Sequence, residues 1–317
     1  MFIVPTFPQL IPLSIVTKVD LAPIGRRVEV EGRKLWLHRS GKGGPPVVFV
    51  PGAGSFGLDF LLVHDRVAEV TSSLLYDRAG TGWSDDIAMP RSADAVTDEL
   101  RSMLRSAGLA GPYLLVGHSL GGLYVQRYAQ RFPDEVAGLL LLDPAHEHWD
   151  LYMPEHLRLA SQPTSTKMPD LPEEFLVQLR DNFAGMFTGF AEPVREVLID
   201  KHLSPGRLPT GFAEGTNVLA LFDELRAGGD RPDVPMIVLG ATGIDSGQLM
   251  FASEADLREQ IAGSARLYAD LAAAAPQGEH RSLSDASHAS MPMVRPDAVA
   301  LAVRDLLDRI RATSPGG

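Results

Sequence analysis

The sequence predicts an α/β fold, a mostly parallel β-sheet flanked by helices and interrupted by an inserted helical layer. Three patterns carry that expectation. Four short runs bounded by turn residues, 47–50, 73–76, 113–116 and 138–142, are apolar on both faces, as strands covered on both sides must be. Amphipathic stretches near 58–70, 92–107 and 121–131 alternate with them, and a β-α-β-α order gives a parallel sheet with helices on both faces. After Leu142 the alternation stops: residues 144–211 offer amphipathic helices near 154–160, 172–187 and 191–202, separated by prolines, and no strand.

Taken in order, the chain opens on an apolar stretch, Met1 through Val16, broken by Pro5, Pro8 and Pro12 and too short to span a bilayer. It is expected to be a mature arm that packs on the body or on a partner subunit, which leaves a homo-oligomer through this arm or the helical layer open. Residues 27–38 alternate around Glu31-Gly32 and read as a β-hairpin. The buried strands and their helices follow. Beyond the helical layer, a helix near 213–227, a strand at 235–239, a helix near 253–275 and a weak strand at 280–283 resume the core. A last helix, about 297–311, starts at Pro296. The expected organisation is a core of residues 1–143 and 212–317 with a helical cap of 144–211 inserted after Leu142.

Composition narrows the function classes. With 29 basic and 40 acidic residues the formal net charge of the 317-residue chain is −11, so no global attraction draws it to nucleic acid or anionic membranes. The chain has no cysteine, which removes disulfides, thiol catalysis and Cys-ligated metals and fits a cytoplasmic protein, with export left open. The glycine loops lack the G-K-[ST] arrangement, and no nucleotide or other cofactor is expected. His146-Glu147-His148 is too weak a pattern to predict a metal.

The strongest motif is Gly117-His118-Ser119-Leu120-Gly121-Gly122, directly after the strand ending at Val116. G-x-S-x-G at a strand-to-helix junction is a nucleophile elbow: a tight turn lifts the Ser119 hydroxyl above the sheet at the N-terminus of the next helix. Glycines flank it because side chains there would clash. Serine is a weak nucleophile at neutral pH and needs a base to take its proton. The developing oxyanion needs backbone donors, and Leu120, first residue of the helix, offers one N–H.

With Val50-Pro51-Gly52-Ala53-Gly54 after the first core strand, Tyr76-Asp77-Arg78-Ala79-Gly80-Thr81-Gly82-Trp83-Ser84 after the second, and Asp285-Ala286-Ser287-His288 before the last helix, the chain resembles the α/β-hydrolase superfamily over nearly its whole length. Pro51-Gly52 departs from the superfamily's usual His-Gly. The resemblance implies that His288 is the base, that Ala53, or Gly54, supplies the second oxyanion N–H, and that Asp77, Arg78 and Ser84 form a packed turn. It leaves two candidates for the acid that orients His288. Asp245 follows the 235–239 strand, the commoner place, but its loop is one residue longer than usual. Asp143 ends the earlier strand, where several dehalogenases and lactonases carry their acid, and is preferred.

Haloalkane dehalogenases and epoxide hydrolases of this fold place a carboxylate in the elbow, so Ser119 points instead to acyl chemistry. The expected activity is hydrolysis of a carboxylic ester or lactone through an acyl-enzyme. A cofactor-free haloperoxidase, an acyltransferase, or a hydrolase-like ligand sensor are the alternatives. Aromatic residues and methionines crowd the insert and neighbouring loops, which favours an apolar or aromatic small-molecule substrate. Gly54, Met153, Phe187, Phe190 and Met291 are the expected substrate contacts, within a wider set that adds Met168, Phe175, Phe183, Met186, Met250, Phe251 and Met293.

Overall fold

A computed structural model of the chain describes residues 22–162, 168, 170–244 and 246–313. The apolar arm of residues 1–16 and Asp245 lie outside the described residues.

The hairpin comes first. β1 (Arg26–Val30) and β2 (Arg33–Ser40) pair antiparallel, and the Glu31-Gly32 turn has φ of 50° and 80°, the positive values that a tight two-residue hairpin turn requires. β3 (Val47–Val50), β4 (Ser73–Tyr76), β5 (Tyr113–His118), β6 (Val136–Leu142), β7 (Met236–Ala241) and β8 (Gly278–Leu283) run parallel, and β2 joins them antiparallel beside β4. The eight-stranded order is β1-β2-β4-β3-β5-β6-β7-β8. The chain leaves β3 toward β4 on one side and returns to β5 on the other. That reversal opens a crevice at the carboxyl ends of β3 and β5, where open α/β sheets bind ligands.

α1 (Leu61–Ala68), entered through a 3-10 turn at Gly57–Phe60, follows β3; α2 (Ala93–Ser106) follows β4; α3 (Leu120–Arg131) follows β5. Past β6 come α4 (Trp149–Tyr152), α5 (Glu173–Met186), α6 (Glu192–His202), α7 (Leu208–Gly215) and α8 (Val218–Ala227). α9 (Ser246–Leu249) and α10 (Glu254–Ala273) lead from β7 to β8, and α11 (Met291–Val294) and α12 (Pro296–Thr313) close the fold.

Strand pleating divides the core in two. Val48, Val50, Leu115, Leu139, Leu141 and Val238 face one side with α2, α3, α8 and α10. Val47, Phe49, Leu114, Val116, Leu140 and Ile237 face the other with α1 and α12. Each of these side chains is buried, worth about 1.5–3 kcal/mol relative to exposure. α2 shows how sequence sets an element: the Ser92 hydroxyl accepts the Ala95 N–H at 3.1 Å to cap it, and Val96, Leu100, Met103 and Leu104 form its buried stripe.

Two expected helices differ. The 154–160 stretch forms two 3-10 turns, Glu155–Leu157 and Leu159–Ser161, because the Asp150 carboxylate takes the Leu159 and Ala160 N–H groups at 2.7 and 3.0 Å. The 213–227 stretch is split between α7 and α8. The break falls at Thr216-Asn217, where the Thr216 hydroxyl bonds Ala213 O at 2.9 Å and the Asn217 amide bonds Arg91 O at 3.0 Å. The expected boundary between residues 211 and 212 therefore falls inside α7.

Candidate active site

Ser119 is the single residue between β5 and α3, with φ 52° and ψ −121°. A positive φ in a non-glycine residue costs on the order of 1–3 kcal/mol and persists only where neighbours impose it. Here they do. The Ser119 N–H donates to Leu142 O at 3.0 Å, and its carbonyl accepts from Gly122 and Ala145, both at 2.9 Å. The flanking glycines are steric requirements: a Cβ on Gly121 would stand 1.9 Å from Val50 O, and one on Gly117 2.5 Å from Gly121 O.

His288 Nε2 lies 3.0 Å from Ser119 Oγ, and His288 Nδ1 lies 2.9 Å from Asp143 Oδ2. The carboxylate can only accept, so Nδ1 carries the hydrogen and Nε2 is the acceptor of the serine hydroxyl. Asp143 has φ 44°, its N–H donates to Leu239 O at 2.9 Å, and its Oδ1 takes the Ala241 N–H at 3.4 Å. Tyr268 is buried beside it and donates its hydroxyl to Pro144 O at 3.3 Å; burial, and then the charge of Asp143, hold its phenol protonated.

His118 extends the site in a way the motif alone does not announce. Its ring is buried 5.0 Å from the His288 ring, and Nε2 lies 2.7 Å from His288 O. Burial, reinforced by the neighbouring His288, pulls its pKa down to about 4. The neutral ring donates from Nε2 to that carbonyl and tethers the His288 loop to the elbow. Its position inside G-x-S-x-G is open to any residue, so only the fold reveals the contact.

The crevice also presents backbone donors. No acceptor within the described residues takes the N–H of Ala53 or of Leu120. The Gly54 N–H, the alternative to Ala53, donates instead to Glu214 Oε2 at 2.9 Å. Gly52 passes close over the elbow: a Cβ there would stand 3.0 Å from Ser119 Cβ.

A cavity of about 450 Å3 opens at this loop, with Ala53, Gly54 and Ala289 on its wall. Phe175, Leu179 and Phe183, spaced four apart on one face of α5, line it with Met168, Phe212 and Phe251. Its polar wall includes His202, stacked between Phe56 and Phe183 at 4.1 and 4.5 Å, with Nε2 2.9 Å from the buried Asp59 carboxylate. Of the expected substrate contacts, Gly54 lines the cavity, while Met153, Phe187, Phe190 and Met291 do not. Phe187, Phe190 and Met291 are buried in the apolar cluster that α1, α6 and α12 also enter, and Met153 lies against Gly263 of α10. Phe175 and Phe183 lie within α5 and line the cavity, whereas Phe187, just past the end of α5, is packed in the core, and composition alone does not separate them.

Among the described residues no group of three or more His, Asp or Glu side chains gathers as a metal would need. His146 and Glu147 lie 3.3 Å apart, and Glu147 pairs with Arg231 at 2.9 Å. No described helix is long and apolar enough to cross a membrane.

An eight-stranded mixed sheet with a serine turn after β5 and a histidine loop after β8 is the architecture of an α/β hydrolase. The chain belongs to the alpha/beta hydrolase family, whose model matches residues 47–303. It is 41% identical over 100 residues to the pimeloyl-acyl-carrier-protein methyl ester esterase of Chromobacterium violaceum, a match covering 31% of this chain and 37% of that one. The chain spans less than half the length of the first curated relatives it matches, 37% of one from Bacillus subtilis and 43% of another. In structure it is similar to an esterase from Thermogutta terrifontis (TM-score 0.59, 21% identity, 90% of this chain and 99% of that one). It is also similar to the epoxide hydrolase CorEH (TM-score 0.62, 15% identity, 91% and 99%). At those identities the likeness is one of fold.

Proposed function

We propose that the protein is a serine hydrolase of carboxylic esters or lactones with an apolar or aromatic part, acting through Ser119, His288 and Asp143. The observation that carries this reading is the hydrogen-bonded line from Asp143 through His288 to Ser119, at 2.9 and 3.0 Å, beside the Ala53 and Leu120 N–H groups, which no acceptor among the described residues takes. Ser119 Oγ attacks the carbonyl carbon while His288 Nε2 takes its proton. The carbonyl oxygen becomes an oxyanion held by the Leu120 and Ala53 N–H groups, which bond more strongly as charge develops. Asp143 stabilises the imidazolium. His288 then protonates the leaving alcohol, the acyl-enzyme remains on Ser119, and water reverses the sequence. In a lactone the alcohol stays tethered to the acyl group, and one ring-opened product results.

The apolar face of α5 supports an apolar acyl or alcohol group in the cavity. A serine in the elbow supports acyl transfer to water over epoxide opening, which in this fold runs through a carboxylate. Residues 144–211 act in this reading as a cap, in a cytoplasmic enzyme that needs no cofactor. The test is a panel of p-nitrophenyl esters, lactones of graded ring size and styrene oxide. Steady multiple turnover of esters or lactones, lost in Ser119→Ala, is expected. Turnover of the epoxide alone, or a single turnover with none following, would overturn the proposal.

A further inference from the structure

Glu214 is a buried carboxylate that the chemistry above does not use. It stands on α7, 4% exposed, and faces Arg78, 1% exposed, from the turn after β4. Its Oε1 accepts from Arg78 Nε at 3.0 Å, and its Oε2 accepts from Arg78 Nη2 at 3.1 Å. Oε2 also takes the Gly54 N–H at 2.9 Å. Arg78 in turn donates from Nη1 to Pro51 O at 2.6 Å and from Nη2 to Gly52 O at 2.8 Å. The pair thus grips the loop on both sides of Ala53.

Peptide planarity converts that grip into an aim. The Ala53 N–H shares a rigid trans plane with the Gly52 carbonyl and points opposite to it. Arg78 holds Gly52 O, so it also directs the Ala53 N–H; Glu214 holds the next plane through the Gly54 N–H. A buried guanidinium keeps such a pose only while a carboxylate neutralises it. α7 is seated directly on the loop, since a Cβ on Gly211 would stand 2.6 Å from Gly54 Cα.

We infer that Glu214 is a positioning residue for the oxyanion loop: through Arg78 and the Gly54 N–H it aims the Ala53 N–H at the developing oxyanion. This rests on the serine hydrolase reading above. Removing a donor aimed at charge that appears only in the transition state lowers kcat and spares KM.

The test uses the full chain and p-nitrophenyl butyrate. Glu214→Gln keeps the size of the side chain but cannot both neutralise Arg78 and accept the Gly54 N–H. It is expected to lower kcat at least tenfold with KM within twofold. Its affinity for a trifluoromethyl ketone, which forms the oxyanion adduct, should fall by the same factor. Gly211→Ala changes no polar partner and pushes the loop through a methyl group; it should show the same pattern and serves alone if Glu214→Gln does not fold. Values of kcat and ketone affinity within twofold of wild type in the folded variants would overturn the inference while wild-type turnover keeps the hydrolase reading intact. A wild type that neither turns over esters nor labels with a fluorophosphonate would remove both.

Discussion

The Asp143 carboxylate and the His288 imidazole, 145 residues apart in the chain, meet at 2.9 Å at the carboxyl ends of β6 and β8. The contact is built in from both sides. Asp143 follows directly on β6 with φ 44°, and the His288 carbonyl is tied to His118 at 2.7 Å. An imidazole so held keeps one tautomer and one orientation.

Asp143→Asn should therefore lower kcat by about ten-thousandfold, because an amide favours the wrong tautomer. Asp245→Asn should change it by less than about threefold, because His288 Nδ1 already has its carboxylate in Asp143. Steady-state kinetics on one ester separates the two, and the reverse ranking would move the acid to the loop after β7.

The cavity and the core beside it should respond differently to substitution. Leu179→Trp narrows the cavity and should shift preference from octanoate toward acetate esters by about 10–200-fold per methylene-scale step, since pocket contacts discriminate at that level. Phe187→Ala lies in the core and should lower stability by about 3–5 kcal/mol with the same chain-length preference. Relative kcat/KM across the ester series and urea unfolding are the two measurements.

Acid should destabilise the fold between about pH 6.5 and 4. Burial pulls His64, set between the Ser40 and Ser73 hydroxyls, down to about 3, and pulls His118 and His146 down to about 4. Each folded value lies below the unfolded one, so the stabilisation is present above about pH 6.5 and is lost as pH falls, by about 1.4 kcal/mol per unit for each histidine. Burial pushes Asp77 up to about 7, despite N–H bonds from Gly57 and Trp83, and it works in the opposite direction. The net expectation is a urea midpoint that drops on going from pH 7 to pH 5 and drops less in His64→Asn. A flat profile would contradict it.

Much of this could be read in the sequence. Runs apolar on both faces located β3, β4, β5 and β6, because a doubly covered sheet admits no other pattern, and the glycine spacing around Ser119 marked a turn that only glycine can flank. The residues that hold the site are another matter. Tyr268, His118 and Glu214 reach Asp143, His288 and Gly54 from distant segments, and nothing local distinguishes them from other buried side chains. The aromatics of the insert divide along the helix: Phe175 and Phe183, inside α5, line the cavity, and Phe187, just past its end, is in the core, a difference that composition does not carry.

The nucleophile is the centre of the account. The protein should be treated with a fluorophosphonate, and its intact mass and the modified peptide read by mass spectrometry, for wild type and Ser119→Ala. The expected result is one adduct per chain, on Ser119, with parallel loss of ester hydrolysis, and a Ser119→Ala protein that folds but neither labels nor turns over ester. An adduct elsewhere, or hydrolysis that survives in Ser119→Ala, would contradict it.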